Sequence, residues 1–73
     1  MKNEIKNQKT TLLTARVNVG LSQEQASKKL GVSKRTLCNW ENGITVPSIN
    51  KIDAICELYG VHYDNLNFLS MAQ

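Results

Sequence analysis

Segment 31–43, GVSKRTLCNWENG, gathers side chains that can form hydrogen bonds with a polyanion or with the edges of nucleic-acid bases. In a helix that turns about 100° per residue, Arg35 and Asn39 lie opposite Leu37 and Trp40. Arginine can bond bidentately to guanine, and asparagine can bond to adenine. The spacing therefore suits a helix that packs inward through its tryptophan and reads DNA with its outer face. Taken alone, a solvated polar face on a structural helix explains the segment equally well.

The charges are distributed unevenly along the chain. Residues 1–35 carry eight cations and two anions, whereas residues 36–73 carry one cation and four anions. A split of this kind suggests one basic side that faces a polyanion and one acidic side that faces away from it. Scattered, solvated lysines are the alternative on charge alone.

The chain has none of the patterns typical of enzymes, metal sites or membrane proteins. It has one histidine, no carboxylate pair at a catalytic spacing and no glycine-rich phosphate loop, so we expect no enzyme activity. Cys38 and Cys56 share no metal-ligand spacing, so we expect no metal and no other cofactor. No apolar run reaches the length of a membrane span, and the N-terminal MKNEIKNQK lacks the apolar core of a signal peptide. These features predict a cytoplasmic protein.

Apolar spacing divides the chain into a tail and one helical domain. Residues 1–8 are polar and non-periodic, and we expect them to form a flexible tail before a domain that spans residues 9–73. The expected helices cover about residues 9–19, 23–30, 34–42, 49–59 and 63–69. No segment alternates as a strand would, so the predicted fold class is all-α.

Serines and glycines mark the ends of these expected helices. Ser22 opens a capping box, and Ser33 and Ser48 are suited to N-caps. Gly31 is suited to a left-handed C-cap, whereas His62 is a poor cap for the fifth helix. The fourth helix is expected to align one stripe of Ile49, Ile52, Ile55, Cys56 and Tyr59.

The second and third helices are separated by a very short connection. Only Gly31 and Val32 stand between the second helix and Ser33. Two helices joined by so short a glycine-containing turn must cross at a steep angle, which is the helix-turn-helix arrangement. In such a pair the later helix, here residues 34–42, protrudes with one face free. That face fits the major groove of DNA.

From about residue 12 to residue 66, the chain resembles the Cro/phage-repressor (XRE-type) helix-turn-helix family. The resemblance rests on LSQEQASKKLGVSKRTLCNWENG, on Pro47-Ser48-Ile49 at the start of the fourth helix, and on LYGVHYDNL. It implies a compact, five-helix, lambda-repressor-like domain. The leading interpretation is a transcriptional repressor that binds a pseudo-palindromic operator in double-stranded DNA as a homodimer, through helix 34–42. The alternative is an antitoxin, or another protein-interaction module on the same fold, that binds a small protein partner.

The resemblance also assigns roles to individual side chains. The family's base-reading positions are matched by Lys34, Arg35 and Asn39. On the side that faces the phosphates lie Gln23, Lys28, Ser33, Thr36 and Asn42. A buried ion pair between the first and third helices is matched by Arg16 and Glu41.

The second and fourth helices depart from the family pattern. Ala26-Ser27 replaces the usual Leu-Ala of the second helix, and Tyr59 replaces a usual aliphatic residue. Tyr59 is therefore a candidate to fill the space that the smaller residues leave.

Apolar residues late in the chain are the expected dimer contact, with core closure as the alternative: Leu58, Leu66, Phe68 and Leu69.

Overall fold

The computed structural model describes residues 10–67, which form four α-helices and two very short strands. The helices are α1 (Leu12–Asn18), α2 (Gln23–Leu30), α3 (Lys34–Glu41) and α4 (Ile49–Tyr59). A 3-10 turn at Tyr63–Asn65 follows α4, and the strands are β1 (Thr10–Thr11) and β2 (Leu66–Asn67). Within this range, no helix combines the length and the apolar character that crossing a membrane requires.

Each α-helix begins at a hydroxyl side chain that accepts a hydrogen bond from the backbone N–H three residues ahead. Ser22, Ser33 and Ser48 are the N-caps of α2, α3 and α4, and Ser22 forms the complete capping box with Gln25. The sequence predictions for these three serines are confirmed. Thr11 caps α1 in the same way. Such caps satisfy backbone N–H groups that have no partner inside the helix.

Gly31 ends α2 in the left-handed conformation that the sequence predicts, with φ of 74°. The ammonium group of Lys51 lies next to this turn, and its Nζ donates to the Leu30 carbonyl at 2.7 Å. A Cβ atom at position 31 would lie 3.5 Å from the same Nζ. The turn between α2 and α3 is therefore held by its left-handed glycine and by a lysine from α4.

The core lies where the four helices meet. Leu37 of α3 and Ile55 of α4 are its largest fully buried side chains, and Trp40 is buried beside them. Ala26 and Ser27 are also buried, and Ser27 Oγ donates to the Glu24 carbonyl at 3.0 Å. The small residues of α2 thus allow α3 to pack close to it, while the serine hydroxyl is satisfied within its own helix.

The start of the first helix and the absence of strands were predicted wrongly. Helix α1 begins at Leu12, because Thr10 and Thr11 are extended and pair in parallel with Leu66 and Asn67. The β-branched threonines favour an extended backbone, and their partners come from the far end of the chain. A local apolar pattern contains no information on such a pairing. The rest of the expected tail, residues 1–8, lies outside the described residues.

The predicted fifth helix is also wrong over the part of it that the structure describes. Tyr63–Asn65 forms one 3-10 turn, and His62 provides no side-chain cap for it. The chain then becomes extended at Leu66, whose side chain is buried in the core and is not free for a dimer contact. Phe68 and Leu69 lie outside the described residues. On α4, the expected stripe is correct except at Ile49, which is exposed.

Candidate nucleic-acid interface

Helix α3 is held against the protein on one side only. Ala26 and Leu30 of α2 and Leu37 and Trp40 of α3 belong to the same buried cluster. Only residues 31–33 separate the two helices, and Val32 N–H donates to the Ser27 carbonyl at 3.0 Å. The side of α3 that carries Arg35 therefore faces away from the core.

The three predicted base-reading residues all lie on α3. Lys34 and Arg35 are exposed, and Asn39 is half-buried. Their side chains form no hydrogen bond or ion pair with any of residues 10–67. The two cations and the amide are therefore available to a ligand without breaking an internal contact.

The N-terminus of α3 contains two hydroxyl groups that bond to each other. Ser33 Oγ accepts from the Thr36 N–H at 3.0 Å and donates to Thr36 Oγ1 at 2.9 Å. Because each hydroxyl carries one hydrogen and one of the two hydrogens is used in this contact, the pair keeps one hydroxyl hydrogen for another acceptor. Together, Ser33 and Thr36 can therefore donate one hydrogen bond to a phosphate.

Asn42 lies at the other end of α3 and is its C-cap, directly after the last helical residue, Glu41, which agrees with the predicted end near Asn42. Its Nδ2 lies 3.4 Å from Cys38 Sγ, on an exposed part of the surface.

Cys38 and Cys56 are both free thiols, and burial, together with the nearby Asp53, raises the pKa of Cys56. Among residues 10–67, no group of histidine, cysteine, aspartate and glutamate is arranged to hold a metal ion.

Arg16 and Glu41 form a buried ion pair between α1 and α3. Arg16 Nε lies 2.7 Å from Glu41 Oε2, and Arg16 Nη2 lies 3.3 Å from Glu41 Oε1. The two side chains are only 9% and 4% exposed. Arg16 Nη1 also donates to the Leu21 carbonyl at 2.9 Å, which ties the connection between α1 and α2 to the same pair. Forked geometry of this kind is the strongest arrangement between a guanidinium and a carboxylate.

Gln23, at the first position of α2, is joined to this ion pair. Its Nε2 donates to Glu41 Oε1 at 3.0 Å. Because a carboxylate only accepts hydrogen bonds, Glu41 determines that the nitrogen end of the amide faces it. One N–H of Gln23 is used in this contact and the second remains for another acceptor. Sequence reasoning gave Gln23 a phosphate contact and did not foresee its link to Glu41.

Lys28 is exposed on α2, where its ammonium lies 3.9 Å from Glu24. Both side chains of this i,i+4 pair are largely solvated, so the attraction between them is weak. The lysine charge therefore remains available to a polyanion that approaches α2.

Tyr59 lies near the ion pair. The sequence predicted no role for it except to fill space. It is buried, and its hydroxyl has no hydrogen-bond partner among residues 10–67. Burial, followed by the negative charge of Glu41, raises the pKa of Tyr59 to about 12, while the positive charge of Arg16 opposes the shift. The only signal in the sequence is the tyrosine at a position that is usually aliphatic.

Comparisons with known proteins agree with this geometry. The family model described as helix-turn-helix matches residues 12–66, about three quarters of the chain. Neither the curated proteins nor the solved structures include a significant match. The matched range begins at the first residue of α1 and ends at the buried Leu66, so it includes both helices of the motif and their supporting core. The chain therefore belongs to the Cro and phage-repressor (XRE-type) family of helix-turn-helix proteins, which are DNA-binding regulators.

Proposed function

We propose that this protein is a sequence-specific transcriptional repressor that binds an operator in double-stranded DNA with α3 in the major groove. The observation that carries the proposal is the contrast between the two sides of α3. Its inner side is fixed by Leu37, Trp40 and the ion-paired Glu41, whereas Lys34 and Arg35 have no partner among residues 10–67. A rigid helix with free cations on its outer face is suited to reading base edges.

Lys34, Arg35 and Asn39 are the proposed readers of sequence. Lysine and arginine are the usual partners of the guanine O6 and N7 atoms, and asparagine is the usual partner of the adenine N6 and N7 atoms. All three lie within two turns of one helix, so they can reach a few neighbouring base pairs. The operator half-site is therefore short.

The surrounding polar groups are proposed to hold the phosphate backbone. Gln23 has one free N–H at the N-terminus of α2, where the helix dipole also favours a phosphate. The bonded hydroxyls of Ser33 and Thr36 have one free hydrogen between them, and Lys28 provides an exposed positive charge. Ser33 and Asn42 lie at the two ends of α3 and complete the set. Such contacts fix the position of the protein on DNA without reading its sequence.

A homodimer is proposed because one recognition helix covers too few base pairs for useful selectivity. Two copies on a pseudo-palindromic operator would place the half-site centres about 34–36 Å apart, one turn of DNA. We propose repression because a dimer bound across a promoter would compete with RNA polymerase for the same DNA, and the family match extends over little besides a DNA-binding domain. The protein would act in the cytoplasm, where the DNA is accessible to it.

The test is selection of bound sequences from random duplex DNA, followed by footprinting on the enriched sequence. We expect a motif with two related half-sites about 10 base pairs apart, protected on one face of the duplex. The Arg35→Ala variant, carried through the same selection, should lose enrichment at particular base pairs of each half-site. If the unmodified protein enriches no sequence, the proposed function is wrong.

A further inference from the structure

Helix α1 has an apolar flank that is left open by the rest of residues 10–67. Leu13 and Val17 are 47% and 57% exposed, although the side of the helix that carries Leu12 and Ala15 is buried. Residues four apart in a helix lie on the same side, about 6 Å apart along the axis. We call Leu13 and Val17 the apolar flank.

The segment that contains the apolar flank has a single charged residue. This residue is Arg16, in segment 10–22, TTLLTARVNVGLS, and it is paired with Glu41 in the interior. Phosphate contacts depend chiefly on lysine and arginine, so α1 has little to attract a polyanion to the flank. A neutral, apolar group is the chemistry that fits this surface.

The strand pair next to α1 indicates which part of the chain can reach the flank. Strand β2 runs parallel to β1 with Asn67 opposite Thr11, and α1 begins directly after Thr11. Neighbouring strands lie about 4.8 Å apart, so β2 brings the chain to the first turn of α1. Residues 68–73, FLSMAQ, follow Asn67 in the sequence and lie outside the described part of the chain.

The composition and spacing of this segment match the apolar flank. Residues 68–73 contain no charged side chain, and the apolar Leu69 and Met71 are two positions apart. An extended chain rises about 3.3 Å per residue and places alternate side chains on the same face. In an extended segment these two side chains are therefore roughly 7 Å apart, close to the separation of Leu13 and Val17.

The area of the flank favours a tethered segment over a second copy of the chain. Two half-exposed side chains of this size offer on the order of 100 Å², judged from the usual burial energy of one side chain and its value per unit area. A stable interface between separate chains buries about 800 Å² per partner. A segment that begins at the paired Asn67 is already close to α1, so its effective concentration there is high and a small contact suffices.

We propose that residues 68–71 continue the direction of β2 along α1, and that Leu69 and Met71 cover Leu13 and Val17. The segment then acts as a strap that closes the domain over its first helix. This inference does not depend on the proposed function.

The strap has a consequence for the buried ion pair. Helix α1 has only seven residues, and helices this short depend on packing for their stability. The same helix supplies Arg16 to Glu41, so a strap over α1 supports the helix that positions the arginine. The strap also gives Leu69 a place in the closure of the domain instead of in a dimer contact.

Double-mutant cycles in urea denaturation of the full chain test the proposed contacts. Leu13→Ala is combined with Leu69→Ala, and Val17→Ala with Met71→Ala. Because loss of one partner removes the contact for both, each double variant should have an unfolding constant about 3-fold or more below the product of the two single effects. The matched control combines Val46→Ala with Met71→Ala. Val46 is 52% exposed but lies between α3 and α4, so these two effects should multiply.

Methyl NMR on a mixture of labelled and unlabelled chains identifies which chain covers the flank. We expect nuclear Overhauser contacts between the Leu13 and Leu69 methyl groups within one chain. Contacts that occur only between chains would overturn the inference, because a second copy would then supply the segment. Effects that multiply in both cycles, together with no contact between these methyl groups, would overturn it by showing that the flank stays uncovered.

Discussion

Gln23 donates its side-chain amide to Glu41 across the gap between α2 and α3, with Nε2 3.0 Å from Oε1. The same carboxylate accepts hydrogen bonds from two nitrogens of the Arg16 guanidinium, Nε and Nη2. One buried acidic group thus joins a core ion pair to the proposed phosphate contact at the start of α2. Because Arg16 neutralises it, Glu41 can lie close to a DNA phosphate with little repulsion.

The first prediction concerns the orientation of the Gln23 amide. Glu41→Gln removes the charge that pairs with Arg16 and lets residue 41 either accept from or donate to Gln23, so it no longer fixes the position of the Gln23 nitrogen that carries the remaining N–H. The variant is compared under conditions in which circular dichroism shows that it is folded. We expect this variant to weaken binding to operator and scrambled DNA by similar factors. Gln23→Ala should then cost less in the Glu41→Gln background than in the unmodified protein. The coupling between the two sites should be roughly 0.5–1 kcal/mol, the lower part of the range for residues in one network.

A double-mutant cycle on scrambled duplex, measured by fluorescence anisotropy, checks this prediction. Gln25→Ala serves as the control, because Gln25 is on the same helix but bonds to the Ser22 N–H instead of to Glu41. Its effect should add to that of Glu41→Gln. Additive effects for Gln23 as well would show that Glu41 does not orient the phosphate contact.

The second prediction concerns the stability of the Arg16–Glu41 pair. Removal of either partner leaves a buried charge without its counter-ion, at a cost of about 3–5 kcal/mol in the free energy of unfolding. We therefore expect Arg16→Met and Glu41→Leu to be strongly destabilised in urea denaturation, and the double variant to recover much of the loss. Lys28→Met is the matched control, since the exposed Lys28–Glu24 pair should contribute less than about 0.5 kcal/mol. Single variants as stable as the unmodified protein would contradict the observed burial.

The local features of this fold could be predicted from the sequence, since their causes lie within a few residues. Ser22 is followed three residues later by Gln25, which completes the capping box. Gly31 adopts the left-handed conformation that side chains with a Cβ disfavour. The outward direction of Arg35 follows from helical spacing relative to Leu37. Each of these interpretations depends only on neighbouring positions.

The remaining features depend on residues that are distant in the chain. No local pattern indicates that Thr10 pairs with Leu66, or that Lys51 reaches the Leu30 carbonyl. The hydrogen bond between Gln23 and Glu41 likewise joins residues that are distant in the chain. The family resemblance assigned Gln23 to a phosphate contact and Glu41 to a buried ion pair. It did not indicate that the two side chains contact each other. The chain could also not reveal that Ile49 would be exposed, because its spacing matches that of the buried Ile52 and Ile55.

The third prediction concerns Lys51 as a cap for α2. Its ammonium donates to a carbonyl at the C-terminus of the helix, where the helix dipole favours a positive charge. Lys51→Met keeps most of the apolar stem and removes the charge, and we expect a loss of about 1 kcal/mol in the free energy of unfolding. Lys29→Met is the control, because Lys29 is exposed on the last turn of the same helix. Equal effects of the two substitutions on thermal unfolding would refute a specific role for Lys51.

The fourth prediction is an alkaline loss of stability caused by Tyr59. Its pKa is about 12 in the folded protein against an ordinary value of 10, so the folded state retains a proton that the unfolded state releases. The free energy of unfolding is therefore unaffected by this group below pH 10 and falls as the pH rises from about 10 to about 12. The fall should approach about 2–3 kcal/mol at the upper end of that interval.

Tyr59→Phe separates this effect from the titration of other groups. The variant should lose the Tyr59 part of the alkaline slope in urea denaturation series. Near pH 7 it should be at least as stable as the unmodified protein, because it removes a buried hydroxyl without a partner among residues 10–67. A variant that is clearly less stable at neutral pH would indicate that a buried water bonds to the Tyr59 hydroxyl.

The fifth prediction separates side chains that read bases from side chains that hold phosphates. The side chains of Arg35 and Asn39 have no hydrogen-bond or ion-pair partner among residues 10–67 and lie on the outer side of α3, so each should contribute about 1–3 kcal/mol of discrimination between correct and incorrect bases. Arg35→Ala and Asn39→Ala should therefore weaken operator binding and largely spare scrambled DNA. Lys28→Ala should weaken both duplexes by similar factors and lower the slope of log affinity against log salt by about one unit.

Binding of both duplexes by each variant, at several salt concentrations, distinguishes the two roles. Arg35 is a cation as well as a proposed reader, so Arg35→Lys is the informative control. It keeps the charge but loses the planar fork that matches guanine. If Arg35 reads a base, Arg35→Lys should retain scrambled-DNA affinity and its salt slope while losing discrimination at one position of the half-site. If Arg35→Lys behaves as the unmodified protein on both duplexes and Arg35→Ala weakens both by the same factor, Arg35 contributes only its charge. Arg35 would then contact the phosphate backbone, and the reading of sequence would depend on Lys34 and Asn39.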